Sequence, residues 1–560
     1  MKFLPLPAWV YLAIVTKQMR VLILIASFAA VAAAQAPAAS TIRKEQLKAD
    51  LFFLASDALQ GRLTGTREYA ISAEWVASRF ERMGLKPVTG SSFRLPFTLY
   101  ISRLENGNAL TVPVAGGGAR SGRVGEDYYP LIFSANADAS GPVVFAGYGI
   151  VAPEHQWNDY RDVDAKGRIV LALTGEPGAD DPKSPFDGLV TSEHSNLLRK
   201  ALHAQEQGAA GILFVTGRDP KRAAARFAAG ARGYWPETPP RIERYTLATM
   251  ADRLHIPAAE ISPGLANLLL GGDLAGAAEA AERGEGQRLT QGQPVALKAR
   301  VRRIPYEDHN VAGMIEGADP KLKDEAVLIT SHYDHNGAEG SQIFNGADDN
   351  GSATVGVIAI AEAYIEAARS GKRPKRTVIF TSWGSEERCC GPLLGSWAWT
   401  ETPAWPLEKT AAVLNMDMIG RREEVPVNAG SRFNGLQPQT AESNANSVNL
   451  IGSSYSPALA AAAREANKDI DLLLRFRYDN NRSNLLRRSD QWPFLQRGVP
   501  ALFVHTGLHP DYHTVNDRPE RIDYDKMERI LKMVYQLSWN LANQDGRPAM
   551  ASPRVIPDPD

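Results

Sequence analysis

The spacing of apolar positions changes three times along the chain. From about residue 47 to residue 87 it is helical: Ala73, Val76, Phe80 and Met83 recur at three- and four-residue intervals, which puts them on one helix face. Gly84 and Pro87 then supply a stop. From about Asn108 to Pro294 the pattern breaks into short β-like runs cut by glycines. Residues 143–150 and 168–173 predict strands, residues 201–215 predict a helix, a glycine turn and a buried strand, and residues 223–233, rich in Ala, Arg and Gly, predict a loop. Nothing in this stretch concentrates His, Asp and Glu as a chemical site would, so it predicts a separate β-rich domain. From Val301 to about Asn543 apolar strands alternate with amphipathic helices. Residues 327–330, 377–381, 411–414 and 501–504 are almost continuously apolar, as strands covered on both faces by helices must be. The predicted fold is α/β, a mixed, largely parallel sheet sandwiched by helices, with a β-rich domain inserted.

The ends differ from the rest. Lys2, Lys17 and Arg20 flank apolar runs, the second of which covers residues 21–34 and ends in Ala-rich sequence. A basic start, a short apolar run and a small-residue exit predict an export signal over residues 1–36, cleaved near Ala34 or Ala36. The expected location is then secreted or periplasmic, with no membrane contact after cleavage. Residues 546–560, rich in Pro and Asp, predict a disordered tail.

Composition narrows the function classes. A chain of 560 residues exceeds one ordinary core and predicts two or three domains. Its 62 basic and 63 acidic side chains give a net charge of -1 with no long basic run, which argues against nucleic acid as the main partner. The two cysteines, Cys389 and Cys390, are adjacent, so a disulfide framework and a zinc site built on cysteine pairs are both excluded. No pattern bears on oligomeric state.

Each of the four apolar strands runs into residues able to bind metal or move protons: Ser331-His332-Tyr333-Asp334, then Ser385-Glu386-Glu387, then Asn415-Met416-Asp417, then a loop holding Asp511-Tyr512-His513. Between the first strand and its helix lies the acidic turn Gly346-Ala347-Asp348-Asp349-Asn350. Singly, each has an ordinary explanation as a turn former, a surface acid pair or a hydrogen-bonded histidine. Together they fall at the same end of one sheet, where open α/β sheets bind ligands. Zinc takes imidazole nitrogen and carboxylate oxygen. Two zincs about 3.5–4 Å apart need a shared carboxylate, and one further carboxylate must take the proton of the attacking water.

The ordered set SHYDHNG, NGADDNGSA, SWGSEE, LLGS, NMDMIGR and DYHT resembles the co-catalytic zinc aminopeptidases of the M28 peptidase family, over about residues 47–530. DVDAKGRIVLAL and QGAAGILFV resemble the protease-associated (PA) domain that many of these enzymes carry inserted. The resemblance implies a signal peptide (1–36), the start of the catalytic domain (37–107), a PA-like insert (108–297), the zinc peptidase domain (298–545) and the tail (546–560). It implies two Zn2+ per chain: Asp349 bridging, His332 and Asp417 completing one site, Glu387 and His513 the other. Glu386 would be the general base, Asp334 would orient His332, and Tyr512 would donate to the developing oxyanion. It further implies a cis peptide between Asp349 and Asn350, and it leaves Asp348 as a turn residue.

The implied activity is hydrolysis of peptide substrates by an exported exopeptidase, with aminopeptidase the commonest activity in the family and carboxypeptidase or dipeptidase the alternatives. A one-zinc glutaminyl cyclase-like acyltransferase and a non-catalytic receptor-like relative share the scaffold; the complete ligand set speaks against both. Two departures stand out. The turn after Glu387 is longer than usual and holds Cys389-Cys390, for which a vicinal disulfide is the sharper of two expectations, free thiols being the other. Gln491 replaces the usual His in Ser489-Asp490-Gln491. His309, His335, His505 and His509 are assigned to structure or pocket walls.

Overall fold

The four apolar runs become the buried middle of a ten-stranded sheet. Its main strands are β1 (Arg94–Leu104), β2 (Tyr245–Leu247), β3 (Val301–Ile315), β4 (Ala326–His332), β5 (Thr377–Trp383), β6 (Thr410–Met416), β7 (Ser447–Ile451), β8 (Leu473–Arg475) and β9 (Ala501–His505). Their spatial order is β2-β1-β3-β5-β4-β6-β9-β7-β8. The central four, β5, β4, β6 and β9, are parallel, and every residue in them is buried. Antiparallel β3 and β7 flank them. In this computed structural model residues 35–114, 118–217, 220–285, 287–289, 294–387 and 393–560 are described; the apolar run 21–34 and the pair Cys389-Cys390 lie outside them.

Helices cover both faces of the sheet. In α1 (Arg67–Met83), Thr66 caps the start by accepting from the Tyr69 N–H at 3.2 Å, and Gly84 ends it at φ 87°, a left-handed angle that glycine adopts without a side-chain clash. Ala73, Val76 and Phe80 face the core as the periodicity predicts. The helix α2 (Ala353–Arg369) is apolar on most sides because it lies between the sheet and other helices. Its Tyr364 donates to Ser538 of α3 (Tyr524–Asn543) at 3.0 Å.

The inserted stretch builds two larger sheets of its own, one of six strands around the parallel run Val143–Ala146, Ile169–Leu173, Gly211–Val215 and Ala258–Ile261, and one of four, besides a small two-stranded hairpin. Three features differ from the sequence reading. Residues 223–233 are not a loop but part of a helix, Pro220–Tyr234. Its alanines favour helix more than Gly230 opposes it, and Phe227 and Tyr234 stack on Tyr129 at 5.5 and 4.4 Å. The stretch is also not wholly separate, since β2 pairs with β1 of the central sheet. Finally, residues 546–560 have no helix or strand, yet they lie against the domain: Arg554 pairs with Asp187 and stacks on Tyr455 at 3.8 Å, and Asn480 donates to the Pro557 carbonyl at 2.6 Å.

Candidate functional site

The parallel strands end level with one another. His332 at the end of β4 pairs with Trp383 at the end of β5, and Thr330 with Asn415 of β6. The residues that follow therefore leave the sheet at one edge, where they form a buried cluster around Asp349. The Asp349 carboxylate is divided between two groups. Its Oδ1 lies 3.4 Å from His332 Nε2, and its Oδ2 lies 2.9 Å from His513 Nε2. On the first side His332 Nε2 is also 3.5 Å from Asp417 Oδ1 and 3.9 Å from Glu386 Oε2. On the second, Glu387 lies 3.2 Å from His513. All the proposed ligands meet here.

The surroundings hold this arrangement rigid. Asp334 reaches His332 chiefly through its backbone carbonyl, 3.3 Å from Nδ1. Its carboxylate accepts the backbone N–H groups of Glu386 at 2.9 Å and Glu387 at 3.1 Å. It therefore positions the glutamate pair as well as the histidine. Asp517 accepts from the N–H groups of Asp348 at 3.0 Å and Asp349 at 3.1 Å, and Ser489 donates to Asp417 Oδ2 at 2.7 Å. The peptide between Asp349 and Asn350 is cis. Asp348 accepts from the Gly420 N–H at 2.6 Å and faces His509 at 3.3 Å. Tyr512 stacks on His513 at 3.8 Å and lines the cavity that also exposes Glu386, Glu387 and Asp417.

Sequence reasoning overlooked four residues. His335, assigned there to structure or a pocket wall, lies 2.7 Å from Glu387 Oε1 and 3.8 Å from Asp349 Oδ2, within the second group. Its position three residues after His332, in the same loop beyond β4, is the signal that could have found it. Arg62 is fully buried and donates to the carbonyls of Leu54, Tyr333, Asn345 and Gly346 at 2.7–2.9 Å. It ties the loop after β4 to the acidic turn, and burial pulls its pKa down only to about 10, so it stays charged. Asp517 and Arg488 were likewise overlooked; Arg488 lines the same cavity. Of the other histidines, His505 contacts the Asp417 carbonyl at 2.9 Å and His309, on β3, lies 3.5 Å from Glu307. Gln491 is buried and donates to the Leu486 carbonyl.

Adjacent glutamates are driven in opposite directions. Burial pushes Glu386 well above the usual carboxyl range, with His332 opposing and the negative charges of Glu387, Asp490 and Asp417 reinforcing. Burial acts on Glu387 too, but His513 and His335 beside it hold it well below that range. Environment alone thus drives two adjacent carboxyl groups in opposite directions.

The donors suit metal ions. The buried atoms His332 Nε2, Asp417 Oδ1 and His513 Nε2 make no hydrogen bond although they stand among carboxylates. Orphaned polar atoms cost free energy unless something satisfies them, and imidazole with carboxylate is the donor set of zinc. His332, Glu386 and Asp417 form one group that could hold an ion, and His335, Asp349 and Glu387 another.

Parts of the chain are similar to known proteins. A probable zinc metalloprotease of Pyricularia oryzae is 25% identical over 272 residues, covering 43% of this chain and 51% of that protein. A probable glutamate carboxypeptidase of Arabidopsis thaliana is 25% identical over 410 residues, covering 69% of this chain and 51% of its own length. The chain thus spans about half the length of the curated relatives it matches. Among solved structures, an aminopeptidase from Aneurinibacillus sp. strain AM-1 aligns at a TM-score of 0.46 with 17% identity, covering 93% of this chain and 98% of that one. The model of peptidase family M28 matches residues 310–538, the span that holds every residue of the cluster around Asp349.

Proposed function

We propose that this chain is an exported metallo-exopeptidase with a co-catalytic pair of zinc ions, acting as an aminopeptidase on peptide substrates. The observation that carries the reading is the division of the Asp349 carboxylate, Oδ1 toward His332 and Oδ2 toward His513. A residue serving one ion has no need to face two ligand groups. His332 and Asp417 would complete one ion's site and Glu387 and His513 the other's, with His335 able to join the second. When bound, zinc supplies Lewis-acid polarisation of the carbonyl and lowers the pKa of water.

The chain's own residues do the rest. Glu386 lies at the rim of the cluster, 3.9 Å from His332 Nε2, and its raised pKa suits it to take a proton from the attacking water and pass it to the leaving amine. Asp334, through the two backbone N–H groups it accepts, keeps Glu386 aimed and Glu387 in place. Tyr512, in the wall of the cavity, would donate to the oxygen on which charge develops.

A carboxypeptidase is the second reading, and Arg488 favours it. The Arg488 guanidinium in the same cavity offers a planar, charged donor pair that fits a substrate carboxylate. Cleavage of free, N-blocked and C-blocked peptides, with and without added zinc, decides between them. An aminopeptidase loses activity when the amine is blocked and a carboxypeptidase when the carboxylate is blocked. Equal inertness toward all three in zinc defeats the proposal. Export is read separately, from the N-terminal residue of protein recovered outside the cytoplasm.

A further inference from the structure

Glu154 and His155 occupy the short helix Pro153–His155, which joins the strands Val151–Ala152 and Trp157–Asn158 of a small hairpin. His194 occupies another one-turn helix, Glu193–Ser195, far along the chain. Folding brings the three together, with one ligating atom of each within 4.8 Å of the other two. His194 is only 6% exposed, and its Nε2 stands 3.0 Å from Glu154 Oε1. This is the separation found between His513 and Asp349 in the catalytic cluster, 2.9 Å. His155 completes the set edge-on, its ring centroid 5.5 Å from that of His194.

A simple ion pair accounts for one edge of His194. It does not account for the other, since Nδ1 is buried with no hydrogen-bond partner, nor for a second imidazole at the same point. An ion between Glu154 Oε1 and His194 Nε2 would account for the second imidazole, while Nδ1 on the other side of the ring stays a separate orphan. Two imidazoles and a carboxylate form a three-ligand zinc set with a fourth position for water, and the half-exposed Glu154 side chain gives the ion a path from solvent.

We infer that Glu154, His155 and His194 form a zinc site in the inserted stretch, separate from the Asp349 cluster. Its place in the fold gives it a task. The residue beside His194 is Glu193, whose Oε1 accepts from Trp492 Nε1 at 2.7 Å and pairs with Arg487 at 3.1 Å. Arg487 adjoins Arg488, in the wall of the catalytic cavity, and Ser489, which holds Asp417. An ion at His194 pins the hairpin to the turn that grips this wall, so it stiffens the seam between insert and catalytic domain.

The test is a difference in zinc content. Wild type, the double variant His155→Asn/His194→Asn and the single variant Glu154→Gln are dialysed to equilibrium in the same zinc buffers, with far-UV circular dichroism recorded on each. The wild type is expected to hold one more zinc per chain than the double variant. Glu154→Gln, a change at a half-exposed side chain, should weaken that extra equivalent more than about tenfold and carries the test alone if the double variant does not fold. Because the result is a difference, it stands whether or not the Asp349 cluster binds metal. Equal zinc content and affinity in wild type and Glu154→Gln would reduce the cluster to an ion pair and overturn the inference.

Discussion

Among the described residues, two crevices lie at the carboxyl edges of parallel strands, and one of the two has the makings of a reactive centre. In the central sheet, β4, β5, β6 and β9 end in histidines and acids whose buried atoms face one another without hydrogen bonds. In the insert, the strands Ile169–Leu173, Gly211–Val215 and Ala258–Ile261 end at a cavity of about 760 Å³ that is also lined by charge. There the charges are settled. Glu176 accepts from the Ser192 N–H at 2.8 Å and from its hydroxyl, and Glu260 accepts from Tyr129 at 2.6 Å, while Lys200, buried behind the wall, donates to the carbonyls of Leu173 and Gly175 in it. Topology supplies the crevice in both cases. What separates a site from a scaffold is whether its buried polar atoms are already satisfied by the protein.

Substitutions can break that contrast, and the largest effect belongs to the glutamate pair. Glu386→Gln removes the proton carrier and no ligand, so turnover should fall about 10²–10⁴-fold with zinc content unchanged. Glu387→Gln should instead lose zinc affinity, and excess zinc should restore part of its activity. Kinetics and metal analysis of both variants check this, and the reverse pattern would exchange the two roles.

Asp334→Ala comes next. It strips the acceptor from two backbone N–H groups and should cost about 10–100-fold in zinc affinity or activity, as for groups that orient ligands. Ser489→Ala removes a single 2.7 Å bond to Asp417 and should fall at the low end, about tenfold, in zinc affinity.

The smallest effect on activity is expected in the insert. Lys200→Met leaves the carbonyls of Leu173 and Gly175 without their donor, which should cost about 1–3 kcal/mol of stability and leave turnover unchanged. Denaturant unfolding with a parallel activity assay reads both. A large loss of turnover in a stable Lys200→Met protein would show that the second crevice is not scaffold.

The contrast also explains what could be read from the chain. The central strands were legible because burial on both faces demands unbroken apolar runs, and the residues where those runs stop are the ones that meet around Asp349. His335 carried only a weak signal, its place three residues after His332, and a single histidine in a loop looks like any hydrogen-bonded core residue until Glu387 is placed 2.7 Å away. Arg62 and Asp517 act on backbone groups of distant loops, and no local pattern records such a contact. The same holds for His155 and His194, which no local motif connects. The helix Pro220–Tyr234 was hidden because arginine and glycine interrupt the apolar period that its alanines support.

The central claim is that Asp349 is shared by two ions. Anomalous diffraction at the zinc edge from crystals of the zinc-loaded protein tests it most directly. The account predicts two peaks flanking the Asp349 carboxylate, one among Oδ1, His332 and Asp417, the other among Oδ2, Glu387 and His513. A single peak there in fully active, zinc-saturated protein, or two peaks neither of which touches Asp349, would contradict it.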